Sequence, residues 1–367
     1  RSAERAMVPR AGMVEEPATG LHPKEPFRRE GGAHQSDWEE IDMTKLTTGA
    51  LFAALLGTQA GAADMPYSLP FNDTNEFSRI GIEWAQAVSE ATDGEVTFEP
   101  VGNSALVTIP ETLDAIAGSV VPAAMGVASA MAGTIPAFGY LELNLSVPVN
   151  NPPTEDAMPQ IFPDVEKLLM AHDAKALWIM PAFGGGLACT QEILQSVDEW
   201  EGKKIRTAGR WQAKQMEAAG ASPVSLPASD IYTALQNGTI DCALISGSIY
   251  LSNSLFEVAP YFSDYGFAGN MLITLVGIDV WEDLSEAQQQ AITKISDETT
   301  VRGTRELREI SASEAENIAA KATYHKVTDD EMAQLLERWD PVYREAMAEV
   351  SDETGTHLVE TLYAYGR

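Results

Sequence analysis

The stretch Trp200–Ser246, WEGKKIRTAGRWQAKQMEAAGASPVSLPASDIYTALQNGTIDCALIS, alternates strand and helix patterns: strand, helix, strand, helix, strand. Arg206 falls at the end of the first of these strands. In an open α/β sheet the carboxyl ends of the strands face the crevice where ligands bind, so the position is one of chemical interest. Taken alone, an arginine in a KKIR run is also an ordinary surface ion-pair partner.

Outward from this segment the same alternation continues. Asp64–Phe71 reads as an opening strand, with an N-cap in Asn72-Asp73-Thr74 for a helix over 76–91, where Phe77, Ile80, Trp84, Ala87 and Val88 recur at helical spacing. A strand at 95–100, a helix at 110–117 and a buried strand at 120–127 complete a βαβαβ series, which predicts a parallel, three-layer α/β domain. A helix at 159–171 and a strand at 175–181 lead into Phe183 and the triplet Gly184-Gly185-Gly186. The triplet lacks the Lys-Ser/Thr of a phosphate loop, so a hinge or a close backbone approach is expected there. Met271–Asp279 is an apolar strand expected to return to the first domain. Ser285-Glu286-Ala287-Gln288 is a capping-box pattern opening a long, largely polar helix over 285–322, of the kind that bridges domains, and 329–363 reads as two helices broken at Pro341.

At 367 residues the chain exceeds one ordinary core. Its net charge of -30 excludes nucleic-acid binding by repulsion from phosphates. Residues from Met43 combine Lys45, an apolar run over 46–56 and a small-residue Ala60-Gly61-Ala62 pattern, which predicts a secretory signal peptide over 43–63 and a periplasmic location. Residues 1–42 are expected to be a non-native or disordered extension. The apolar run is too short to span a bilayer, so the protein is not expected to be membrane-spanning. Export permits a disulfide, and the two cysteines, Cys189 and Cys242, fit either a bridge or two buried thiols. The five histidines are scattered and no HExxH, P-loop or Ser-His-Asp pattern is present, so no catalytic residue, metal or cofactor is expected.

The motifs GKKIR, EAAGASPVSLP, SDIYTALQNG and TIDCA, in this order, resemble those of the periplasmic solute-binding proteins of tripartite ATP-independent (TRAP) transporters. The resemblance implies an α/β, two-lobed periplasmic binding protein fold with hinge strands and a long helix spanning both lobes. It places lobe I at 64–183 plus 271–310 and lobe II at 184–270 plus 311–367. It implies capture of a small organic acid in the inter-lobe cleft, delivery to TRAP membrane permease subunits, and no enzymatic activity. An enzyme or a sensor module using the same cleft is the rival reading. The resemblance makes Arg206 the two-point partner of the ligand carboxylate, a role its planar guanidinium suits. It also carries Asn72, Phe183, Ser246 and Phe267 into the cleft. Trp211 either walls the pocket or packs its helix, and Arg210 is either a second cation for a diacid or solvated. The usual Asp-Gly of the family is Asp241-Cys242 here, and 121–131 holds no charged residue, which favours a small or apolar monoacid over a sugar acid.

Overall fold

The computed structural model describes residues 63–149, 152–267 and 269–365. The expected extension at 1–42 and nearly all of the expected signal peptide lie outside the described residues. The first half runs β1 (Ala63–Ser68), α1 (Glu76–Ala91), β2 (Val96–Val101), α2 (Thr112–Ala117), β3 (Ala123–Val127), α3 (Ala137–Tyr140), α4 (Thr154–Met170) and β4 (Ala174–Ala182). There follow β5 (Gly185–Cys189), β6 (Lys204–Thr207), α5 (Arg210–Ala218), β7 (Ser222–Ser225), α6 (Ile231–Gln236), β8 (Cys242–Ser246), α7 (Gly247–Ser252) and β9 (Tyr261–Asp264). The chain closes with β10 (Gly269–Gly277), α8 (Ile278–Glu282), α9 (Glu286–Ala319), β11 (Thr323–Lys326), α10 (Asp329–Ala348) and α11 (Glu353–Tyr365).

Two sheets result, in the orders β2-β1-β3-β10-β4 and β11-β9-β5-β8-β6-β7. The chain passes from the first sheet to the second through Phe183 and Gly184, and back between β9 and β10. The first sheet is not wholly parallel as expected: β10 runs antiparallel to both β3 and β4. A strand that enters from the other sheet is free of the βαβ crossover that keeps sequential strands parallel. Its apolar run is buried on both faces, as a central strand requires.

Helix α9 packs on α1, α4 and β4 of the first sheet's layer and on α7 and β11 of the second. Its polarity does not leave it bare. One face buries Ser296, Thr299, Thr300, Gly303, Thr304 and Leu307, and its hydroxyls bond the neighbouring elements: Trp84 Nε1 donates to Ser296 Oγ (3.0 Å) and Ile179 N to Thr300 Oγ1 (3.3 Å). Small side chains let a polar helix lie close against a sheet. The Ser285/Gln288 capping box forms as expected.

Two local expectations are corrected. The cap of α1 is Asn75, whose side chain accepts from Phe77 N (3.0 Å), and Asn72 instead closes its own turn. Pro341 does not break the helix: α10 runs through it, because buried Trp339, Val342, Tyr343 and Ala346 anchor both sides and the ring removes only one backbone bond. The open question of the cysteines is decided by register. Cys189 and Cys242 face each other across the β5–β8 pair, with Cα atoms 4.1 Å apart, and are joined in a disulfide.

Candidate functional site

Arg206 sits on β6 between parallel β7 and β8, opposite Val224 and Ala243. Its strand ends one residue later at Thr207, and Gly209 then adopts an extended conformation to start α5. The side chain crosses the strand ends: Nε donates to the Leu226 carbonyl (2.9 Å) and Nη1 to the Leu244 carbonyl (3.1 Å). Only 6% of the residue is exposed. Burial pulls the guanidinium down to about 10, so it remains a cation at neutral pH. No acidic side chain pairs with it among the described residues, and desolvation alone accounts for its shift. A buried cation held by two neutral carbonyls leaves its charge uncompensated, and such a group invites an anion. Beside it, the fully buried Thr207 has a hydroxyl with no partner among the described residues.

Three other expected site residues gather around the crossing between the sheets. Ser246 ends β8 opposite Gly185, accepts from Ile249 N (3.4 Å) to start α7, and lies two residues beyond the carbonyl that Arg206 binds. Phe267 donates its backbone N–H to the Gly185 carbonyl (3.3 Å), stacks on Tyr265 at 5.1 Å and packs 5.5 Å from Trp339. Phe183 is buried immediately before Gly184. The glycine triplet is required by space: a Cβ on Gly186 would stand 2.1 Å from the Ser263 carbonyl oxygen, and Gly184 has φ +69°. The close-approach reading of the triplet therefore holds.

Asn72 and Trp211 are placed otherwise. Asn72 is exposed, and its Oδ1 accepts from Thr74 N (3.0 Å) and Thr74 Oγ1 (2.7 Å), so its carbonyl oxygen is taken by its own turn. Trp211 is 2% exposed, with its indole against Gly139 and the cations of Arg210 and Lys214 at 4.5 and 5.3 Å from the ring. That environment matches the packing alternative. Arg210 is exposed at the helix start and pairs with Glu349, the solvated alternative.

Sequence reasoning passed over the buried carboxyls, two of which bear on the site. Glu142, 6% exposed, supplies the cap that Gly209 lacks: its Oε1 accepts from Trp211 N (2.9 Å) and Gln212 N (3.1 Å) at the start of α5. Burial raises its pKa above the usual carboxylate range, while these N–H groups and Arg210 oppose the shift. The signal was present, as a lone acid in the apolar run FGYLELNLSVPV. Glu142→Ala strands two buried N–H groups and should cost about 1–3 kcal/mol, whereas Glu142→Gln keeps a carbonyl acceptor and should cost less. Urea unfolding at pH 7 measures both; equal stability of the two variants and the wild type would remove the capping role. The other carboxyl, Glu314, lies on the polar α9, where nothing in the pattern distinguishes it.

Residues 72–350 match the family model described as bacterial extracellular solute-binding protein, family 7. The chain belongs to this family. Members of this family are extracellular solute-binding proteins. The chain is 28% identical over 213 residues to the ectoine-binding periplasmic protein TeaA of Halomonas elongata, covering 57% of this chain and 61% of that one. The match to that relative thus spans less than two thirds of its length. To the C4-dicarboxylate-binding periplasmic protein DctP of Rhodobacter capsulatus it is 24% identical over 291 residues, covering 74% of this chain and 83% of that one. Among solved structures, a TRAP periplasmic solute-binding protein from Ochrobactrum anthropi superposes with TM-score 0.75 at 20% identity, covering 82% of this chain and 95% of the other. This likeness shows the two-lobed TRAP binding-protein fold for this family 7 chain. Among its described residues no helix is long and apolar enough to cross a membrane, and no group of His, Cys, Asp and Glu side chains could hold a metal ion.

Proposed function

We propose that this family 7 protein is a periplasmic, non-catalytic receptor that binds a small organic acid between its lobes and delivers it to the membrane subunits of a TRAP transporter. The observation that carries the reading is the buried Arg206 cation, which has two carbonyl partners and no counter-charge among the described residues. A ligand carboxylate supplies the missing charge and takes the free edge of the guanidinium, a pairing that is short, directional and strong in a desolvated site. Ser246, Phe183 and Phe267 line the approach from the crossing; Asn72 and Trp211 have at most an indirect part. The neutral surroundings of Arg206 and the uncharged 121–131 segment favour a compact acid with few hydroxyls. The C4-dicarboxylate named for the Rhodobacter relative supports the acid class.

We take 64–183 plus 271–310 as lobe I and 184–270 plus 311–367 as lobe II, except that α11 packs on α4 and α3 and so moves with lobe I. Export by the 43–63 segment belongs to the same proposal. A thermal-shift panel of pyroglutamate, succinate, acetolactate, glucuronate and ectoine tests it. A compact acid at 100 times its dissociation constant should add about 2.7 kcal/mol of stability. Stabilisation by none of the acids would count against the reading.

A further inference from the structure

Glu314 is a buried carboxyl at the crossing that solute capture leaves unused. It sits near the C-terminal end of α9, 9% exposed, where three elements meet. Its Oε2 is 2.7 Å from where a Cβ on Gly247 would stand, so that glycine makes the room it occupies, and it lies within van der Waals contact, 3.6 Å, of the same point on Gly184. Gly247 N donates to the Gly184 carbonyl (3.0 Å), tying the crossing from β4 to β5 to the corner between β8 and α7. The Ser248 backbone N–H donates to the Glu314 carboxyl in turn. The side chain therefore reaches from α9 into the point where the chain crosses between the two sheets, tied by Gly184 and Gly247.

No cation compensates it among the described residues. From the first lobe it faces Glu76 at the start of α1, and from the second Asp264 at the end of β9, both acidic. Asp264 is itself engaged by Lys326 and Tyr324 of β11, and α7 offers only backbone and hydroxyls. Burial first, then Glu76 and Asp264, push Glu314 up to about 8, against the Ser248 N–H that favours the anion. Near neutral pH the carboxyl is neutral in this arrangement.

We propose that Glu314 is a proton-operated hinge stop: while its carboxyl is neutral, the Gly184 crossing and the α7 corner stay packed on α9, and its ionisation favours a lobe arrangement that returns the carboxyl to water. The inference rests on the two-lobe reading and needs no statement about the ligand. The sign follows from the direction of the shift. A group whose proton is held more tightly in one arrangement favours that arrangement fully below the ordinary carboxylate range, and the advantage is lost as pH rises through about 8. Across that window the ratio of this arrangement to its alternative should fall by up to tenfold per pH unit, then level off.

The test is resonance energy transfer in the ligand-free protein between dyes on Val120→Cys, an exposed position before β3, and Gln236→Cys, exposed at the end of α6. The native cysteines are tied in the disulfide and leave these thiols to react alone. Between pH 5 and 9 the inter-dye distance should move away from that of the present arrangement as pH rises. Glu314→Gln, which mimics the neutral carboxyl, should hold it at every pH. A distance that does not change with pH, or a Glu314→Gln profile that follows the wild type, overturns the proposal. Because no ligand is present, neither result depends on the role of Arg206.

Discussion

Arg206→Ala should bind the best acid of the panel about a hundredfold or more weaker than the wild type, since a charge-assisted two-point pair in a desolvated cleft contributes several kcal/mol and every 1.4 kcal/mol is tenfold. Arg206→Lys should restore only part of this. An ammonium keeps the charge but loses the planar fork, and cannot hold both the Leu226 and Leu244 carbonyls while meeting a carboxylate. Folding stability should change far less than affinity, because the cost of burying an unpaired cation offsets its two hydrogen bonds. Calorimetry gives the affinities and circular dichroism the folding. A folded Arg206→Ala protein with near-wild-type affinity would leave the arginine as a structural tie between β6, β7 and β8.

The second large effect concerns the disulfide. Cys189 and Cys242 are 53 residues apart in sequence and enclose β6, α5, β7 and α6. Closing a loop of that length in the unfolded chain corresponds to about 4 kcal/mol in the loop-entropy account, with about 2–4 kcal/mol typical in practice. Cys189→Ala with Cys242→Ala should lower the urea-unfolding free energy by that amount, less if the reduced strands keep their pairing. The bridge ties β5, which begins at the crossing, to β8, which carries the carbonyl that Arg206 binds. Reduction should therefore also broaden the ligand-binding transition. A loss below about 1 kcal/mol would contradict the account.

Much of this architecture could be read from the sequence because it is written at short range. Each strand and helix of 200–246 formed where the alternation placed it, since a period of two or of 3.6 residues is fixed by neighbours in the chain. Arg206 is legible as a cation at a strand end, although the KKIR run alone reads equally as a surface ion-pair site, and it is the family resemblance that assigns it a carboxylate. What escaped the pattern depends on residues far apart. The antiparallel insertion of β10 follows from its entry from the other sheet. The cap of α5 comes from Glu142, 69 residues before Trp211, and the setting of Glu314 is built from α1, α7 and β9. Trp211 could equally have faced a pocket or a core, and its contact with Gly139 comes from a part of the chain far away in sequence. Asn72 drew notice as a strand-end amide, and a threonine two residues on was enough to occupy it.

The central claim is that Arg206 is the anion-binding group of this protein, and a crystal structure with the most stabilising acid of the panel tests it most directly. The account predicts the ligand carboxylate within hydrogen-bonding distance, about 2.7–2.9 Å, of two guanidinium nitrogens or of one nitrogen and the Thr207 hydroxyl, with Ser246 or Phe183 at its other end. An acid bound elsewhere, with Arg206 still joined only to the Leu226 and Leu244 carbonyls, would contradict it.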